Sequence, residues 1–367
     1  MATFVQKLKL LRGLLGDGRA FVGPFYVVVD PTRRCNLNCP GCPYHSSEMD
    51  ARISPGDQTQ LDISVDLFAR LCNDLKIMGT RNLVLTGEGE PFLHPSLEVL
   101  VSLAKSAGLH VRLLTNGTFL GEKQIEWLTE SDLDELKISL WASSPEVYAR
   151  SYPAGDPAMF QNVTNGLRAL ADKKRTKGTG LPRVILHQPI TRANFETLPQ
   201  MAELAHETGC DMLSFAPFKT RWGELSHLAL SAAEESSALQ FLRDIEGRLA
   251  SLGMEHNIKA VRSRYAAGPD VWKRQPCYIA YIHGRVKVDG SVLVCNPCNL
   301  PVGDLKRQSM REIWNGDAMQ EFRRQARTGA GLAELSRTCD CEYCCLFTDN
   351  MRMHSILRWI GPFWRAT

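Results

Sequence analysis

Between residues 25 and 216, short apolar runs alternate with stretches of helical period six times over. The runs are Phe25–Val29, Asn82–Thr86, His110–Thr115, Glu135–Leu140, Val184–Gln188 and Asp211–Ala216. Between the first two, Ser64 stands as an N-cap before Leu67, Phe68, Leu71, Leu75 and Met78, and Gly79 follows as a stop. Pro95-Ser96 opens a further helix that should close at Gly108. Alternation of this kind predicts an α/β fold with a parallel sheet and right-handed crossovers. Six units fall short of a closed eightfold barrel, leaving an open, partial (β/α)6 barrel or a doubly wound sheet. In both, ligands gather at the C-terminal ends of the strands.

The pattern then changes. Residues 231–252 read as a connecting helix with Leu239, Leu242, Ile245 and Leu249 on one face. Arg285–Val288 and Ser291–Val294 flank Asp289-Gly290, a hairpin signal. Met310–Arg324 reads as one amphipathic helix with Ile313, Trp314 and Phe322 inward. The expected organisation is an N-terminal amphipathic helix over 1–24 and a barrel over 25–230. A connecting helix and strand over 231–260 and a small hairpin-plus-helix domain over 261–367 complete it.

Composition narrows the field. The chain has 367 residues, 44% of them hydrophobic and 23% charged, with a formal net charge of +3. That is an ordinary globular make-up, too weakly basic to argue for nucleic-acid binding. Twelve cysteines are too few for a disulfide scaffold, but they are clustered. Three lie between residues 35 and 42 and seven between 277 and 345, with only Cys72 and Cys210 elsewhere. Lys7, Lys9 and Arg12 interrupt the first apolar stretch, so it reads poorly as a secretory signal. Clustered thiols without such a signal point to metal ligation in a reducing, cytoplasmic setting.

Directly after the first strand stands Cys35-Asn36-Leu37-Asn38-Cys39-Pro40-Gly41-Cys42. Three thiolates are one fewer than an ordinary cubane cluster takes, which leaves one coordination position open. A zinc site completed by a residue such as His45 is the plainer reading of the same spacing. The Cys-x3-Cys-x2-Cys spacing after a first barrel strand resembles the signature of the radical S-adenosylmethionine superfamily, and the resemblance covers most of the chain. It implies a partial (β/α)6 barrel and a 4Fe–4S cluster on Cys35, Cys39 and Cys42. S-adenosylmethionine would chelate the fourth iron and yield a 5′-deoxyadenosyl radical on reduction. An electron donor of flavodoxin or ferredoxin type is implied as a partner.

Thr86-Gly87-Glu88-Gly89-Glu90-Pro91 is similar to that family's Gly-Gly-Glu-Pro motif, which implies S-adenosylmethionine contacts from Gly87, Gly89 and Glu90. By the same resemblance Thr115, Asn116 and Ser139 lie at strand tips that meet the ribose and methionine moieties, and Arg150 answers to a carboxylate-binding arginine. The family usually has an aromatic residue where Gly41 stands. Tyr44 is a substitute for covering the adenine, and that contact stays unassigned.

Cys277-x12-Gly290-x4-Cys295 and the later Cys339, Cys341, Cys344 and Cys345 resemble the SPASM and twitch extensions of the superfamily. The resemblance implies one auxiliary 4Fe–4S cluster on Cys277, Cys295, Cys341 and Cys344, with a second requiring an open iron or another ligand. A zinc ribbon from Cys295-x2-Cys298 and Cys341-x2-Cys344 is the competing arrangement, although 42 residues separate the pairs. Cys298 is a candidate hydrogen-atom donor for an epimerisation. Cys72 reads as core.

Because only 24 residues precede the first strand, where peptide-modifying relatives carry a recognition domain, the favoured substrate is a small polar molecule such as a sugar, aminocyclitol or nucleotide. Oxidation or epimerisation would be the outcome, with Lys219, Arg221 and Trp222 as substrate contacts. A peptide maturase and a non-catalytic iron–sulfur or zinc scaffold are the alternatives. The basic amphipathic start and the apolar stretch Ile356–Trp364 have the make-up of membrane-surface contacts, although capping the domain or a dimer is the commoner use of such ends.

Overall fold

A computed structural model describes residues 4–46, 48, 59–152, 155–218, 220, 223–268, 275–296, 298–339, 341 and 344–360. Helix α1 (Phe4–Leu15) precedes strand β1 (Tyr26–Val29). The barrel then runs through α2 (Val65–Met78), β2 (Asn82–Leu85), α3 (Leu97–Ser106), β3 (His110–Thr115), α4 (Glu122–Glu130) and β4 (Glu135–Ser139). It continues with α5 (Pro145–Ser151), α6 (Ala158–Lys177), β5 (Arg183–Ile190), α7 (Leu198–Glu207) and β6 (Met212–Pro217). The six expected strands are all present, within a few residues of their predicted limits. The α2 caps are as the sequence suggests: the Ser64 hydroxyl accepts from the Leu67 N–H, and Gly79 adopts φ 73°.

After α8 (Ala232–Ser251), the two-residue strand β7 (Glu255–His256) supplies the strand expected in the connecting segment and adds a seventh parallel strand to the sheet. Following α9 (Ile258–Ala266), β8 (His283–Val286) and β9 (Ser291–Leu293) form the expected hairpin, with Gly290 at φ 89°. Strand β10 (Pro301–Asp304) extends it. The hairpin also joins the barrel sheet. Strand β8 pairs in parallel with β1, giving one ten-stranded sheet in the order β10-β9-β8-β1-β2-β3-β4-β5-β6-β7. The fold is the partial barrel, extended at its β1 edge.

The single helix expected over Met310–Arg324 is two, α10 (Met310–Trp314) and α11 (Asp317–Gln325). Asn315 breaks it, because its side chain exchanges bonds of 2.9 and 3.0 Å with the backbone of Ala20. Helices α12 (Gly329–Leu335) and α13 (Phe347–Ile360) are the last elements of the described residues.

Alternation along the strands separates two faces. Leu113, Leu136, Ile138, Leu186 and Leu213 are fully buried beneath the helices. Leu114, Lys137, Ser139, His187 and Ser214 alternate with them and line the barrel interior, with Ser139, His187 and Ser214 in one register layer.

Candidate functional site

The cluster loop leaves β1 through Asp30, Pro31 and Thr32. The Thr32 hydroxyl donates to the Asp62 carboxylate at 2.7 Å and accepts from the Arg34 N–H at 3.1 Å, so the loop starts from a fixed corner. Across it lies the Gly87–Glu90 turn, whose Glu90 N–H donates to the Arg34 carbonyl at 2.7 Å. A Cβ on Gly89 would stand 2.3 Å from that carbonyl oxygen, and one on Gly87 (φ 133°) only 1.8 Å from the Asp30 carboxylate. Both glycines are required by this backbone approach.

Cys35, Cys39 and Cys42 are all half-buried at the mouth, with the Cys42 N–H donating to the Cys39 carbonyl at 2.9 Å. Burial, reinforced by the neighbouring thiols, pushes Cys35 up to about 11 and Cys39 to about 12. The free thiols therefore hold their protons until a cation displaces them. His45 turns away from them, its Nε2 lying 2.7 Å from the Glu88 carbonyl.

Glu90 is buried beside this loop. Its carboxylate accepts from the Thr115 hydroxyl at 2.6 Å, the Asn116 N–H at 2.8 Å and the Phe92 N–H at 3.2 Å. Burial outweighs these bonds and lifts it to about 7. Asn116 also reaches the cluster loop, its amide donating to the Asn36 side-chain oxygen at 2.9 Å. The structure therefore gathers Gly87, Gly89, Glu90, Thr115 and Asn116 around the three-cysteine loop. Ser139 sits at the next strand tip and accepts from the Trp141 indole at 3.2 Å. Arg150, by contrast, is exposed in α5 and bonds to none of them. Lys219, Arg221 and Trp222 lie outside the described residues.

The missing aromatic residue has a structural explanation. A Cβ on Gly41 would meet the Phe218 ring at 2.6 Å and the Trp141 ring at 3.0 Å, so two strand-tip aromatics already occupy that space. Tyr44 turns elsewhere: its hydroxyl accepts from Arg285 at 3.0 Å.

The second thiol group assembles around the hairpin. Cys277 precedes β8, Cys295 follows β9, and both are buried with Cys344, while Cys341 is half-buried. Burial raises Cys295 well above its ordinary value, with Cys277, Cys341 and Cys345 adding to the rise, which marks these thiols as neighbours. Cys298 is different. It is fully buried and lies beside Cys339, to which an antiparallel bridge joins it. The free thiol facing Arg285 and Lys137 is Cys345. Cys72 and Cys210 are buried in the core. Among the described residues no three His, Cys, Asp or Glu side chains converge tightly enough for a single metal ion.

A buried ionic network between the two thiol groups is absent from the sequence reading. Asp30 and Arg285 pair at 2.6 Å, and Arg33 meets Glu88 at 2.6 Å. Lys287 also contacts Glu88, and Arg33 lies 3.7 Å from Asp289. A signal for it existed: charges at alternate positions of an otherwise apolar strand, Arg285 and Lys287. Lys137 was missed as well. It lines the interior, and burial with the nearby Arg112 guanidinium lowers it to about 8.

Residues 29–211 match the model of the radical SAM superfamily. The chain belongs to that superfamily. Residues 277–345 match the SPASM iron–sulfur cluster-binding domain. The protein is thus a radical SAM enzyme that takes a 4Fe–4S cluster, S-adenosylmethionine and an auxiliary iron–sulfur cluster. A PqqA peptide cyclase of Xanthomonas campestris pv. campestris is 29% identical over 312 residues, covering 82% of this chain and 76% of the relative. The protein of that name from Ruegeria pomeroyi is 27% identical over 332 residues, covering 86% and 80%. The crystal structure of Streptococcus suis SuiB bound to the precursor peptide SuiA shares the fold, with TM-score 0.61 and 14% identity over 85% of this chain and 70% of that one.

These relatives overturn the expectation of a small polar substrate. Peptide cyclases align over most of this radical SAM chain, so the short stretch before β1 was a poor criterion. The length of chain before a barrel does not set what its interior accepts. No helix among the described residues is long and apolar enough to cross a membrane.

Proposed function

We propose that this radical SAM enzyme modifies a peptide, removing two hydrogens as a new bond forms within it. The observation that carries this reading is the alignment with PqqA peptide cyclases over four-fifths of the chain. When bound, the cluster and S-adenosylmethionine supply a 5′-deoxyadenosyl radical able to take a hydrogen atom from carbon.

In this reading Cys35, Cys39 and Cys42 hold the first cluster, and Cys277, Cys295, Cys341 and Cys344 the auxiliary one. Gly87 and Gly89 bring backbone close to the S-adenosylmethionine amine, which Glu90 receives once ionised, with Thr115 and Asn116 fixing that carboxylate. Ser139 borders the pocket. The peptide side chains lie in the barrel interior among Lys137, His187 and Ser214. Lys137 Nζ, lowered to about 8 chiefly by burial, accepts the proton the substrate releases, and the auxiliary cluster would take the electron that remains. Trp141 and Phe218 close the cluster loop against water. A barrel over 25–230 and an auxiliary-cluster segment over 261–367 is the division we adopt. A flavodoxin or ferredoxin in a reducing cytoplasm is the electron source.

The test is anaerobic reconstitution with candidate precursor peptides, read by mass spectrometry and by 5′-deoxyadenosine release. A peptide lighter by a pair of hydrogens, formed in step with 5′-deoxyadenosine, supports the reading. Release of 5′-deoxyadenosine that no peptide stimulates would reject it.

A further inference from the structure

Helix α1 has two apolar faces, and only one is used. Leu10, Gly13 and Leu14 are buried against the body. Packing there is close: a Cβ on Gly13 would stand 3.0 Å from the Arg19 carbonyl oxygen and 3.6 Å from the Tyr281 ring. The chain just beyond is held by arginines of the C-terminal segment, with Arg323 donating to the Gly18 carbonyl at 3.1 Å and Arg327 to that of Gly16. The helix therefore sits in a fixed orientation.

At 3.6 residues per turn, Phe4, Leu8 and Leu15 fall in a stripe turned away from that contact, with Val5 at one border and Leu11, half-buried against the core, at the other. Phe4 is 74% exposed, Val5 57%, Leu8 51% and Leu15 52%. Four of the nine exposed large hydrophobic side chains among the described residues thus lie in one helix of twelve residues. Lys7 flanks the stripe on one side and Lys9 and Arg12 on the other, all exposed, and the helix carries no acidic residue.

We propose that α1 docks the protein reversibly on an anionic membrane surface, with Phe4, Leu8 and Leu15 inserted at the level of the acyl-chain boundary and Lys7, Lys9 and Arg12 on the lipid phosphates. The charge pattern selects this occupant. A second copy packed about a two-fold axis would bring the same cations face to face, whereas an apolar stripe bordered by lysine and arginine suits the interface of an anionic bilayer. Position fits too. Tyr281, against which α1 packs, precedes β8, so the helix lies at the N-terminal ends of the strands. The three-cysteine mouth, at the opposite ends, stays open when α1 is on a surface.

The test is co-sedimentation of the full-length, cluster-loaded protein with vesicles of phosphatidylglycerol mixed with phosphatidylcholine, and of phosphatidylcholine alone. Binding to the anionic vesicles should be stronger by about tenfold or more and should fall with added salt. Both Leu8→Ser with Phe4→Ser and Lys7→Glu with Lys9→Glu should lose that binding while retaining iron content and melting temperature, since every altered side chain is exposed. Equal or absent binding to both vesicle types overturns the proposal. So does a concentration-dependent dimer, abolished by Leu8→Ser, in a protein that ignores vesicles.

Discussion

Asp30 and Arg285 lie 255 positions apart in the chain and 2.6 Å apart in the fold, both buried, where the first barrel strand meets the hairpin of the auxiliary segment. Asp30 precedes the cluster loop by five residues and Arg285 lies between Cys277 and Cys295. The pair therefore joins the two cluster-bearing segments. Removing one partner leaves the other charge buried, which costs about 3–5 kcal/mol, whereas a volume-matched apolar pair is nearly neutral. Arg285→Met should accordingly lower unfolding stability by that amount, and Asp30→Leu with Arg285→Met should recover most of it. Denaturant titration of the cluster-loaded variants checks this; equal stability of single and double variants would count against the coupling.

Gly89→Ala places a methyl group against the Arg34 carbonyl. The cluster loop must shift, and iron at the three-cysteine site should fall well below wild type while the auxiliary iron stays. Iron counting combined with electron paramagnetic resonance distinguishes the two sites.

Metal counting also tests the auxiliary ligands. The wild type should hold about eight irons per chain and no zinc. Cys341→Ala should lose about four of them, whereas Cys345→Ala should lose none. Bound zinc in place of the second iron set would restore the zinc-ribbon reading.

Glu90 titrates near 7 because burial raises it. An acid raised in this way binds its proton below that pH, so the S-adenosylmethionine ammonium then meets a neutral group. Affinity should weaken by up to about tenfold per pH unit below 7 and level off above it. Binding should release a proton in the weak range, which calorimetry in buffers of different ionisation enthalpy detects. Glu90→Gln should bind weakly at every pH.

Lys137 gives a second diagnostic, in turnover. Its amine is lowered to about 8, so a proton-accepting role requires the neutral form and makes peptide turnover rise with pH through that value. Lys137→Gln should slow turnover by about 10²–10⁴-fold and flatten the profile, with S-adenosylmethionine binding unchanged. A variant with wild-type turnover would remove Lys137 from the chemistry.

Local rules sufficed for much of this protein. The six strands, the α2 caps and the Asp-Gly hairpin follow from apolar periodicity and turn chemistry, which act over a few residues. The three-cysteine spacing and the glycine-glutamate turn likewise carry their chemistry in adjacent positions. What the sequence left out depends on which distant segments meet. The break after Trp314 arises because Asn315 bonds to Ala20. Pairing of β8 with β1 carried Arg285 to Asp30 and Lys287 to Glu88, and an antiparallel bridge took Cys298 to Cys339. The exposed second face of α1 has the same origin. Hydrophobic period says that a helix has apolar faces, but only tertiary packing decides which of them is covered.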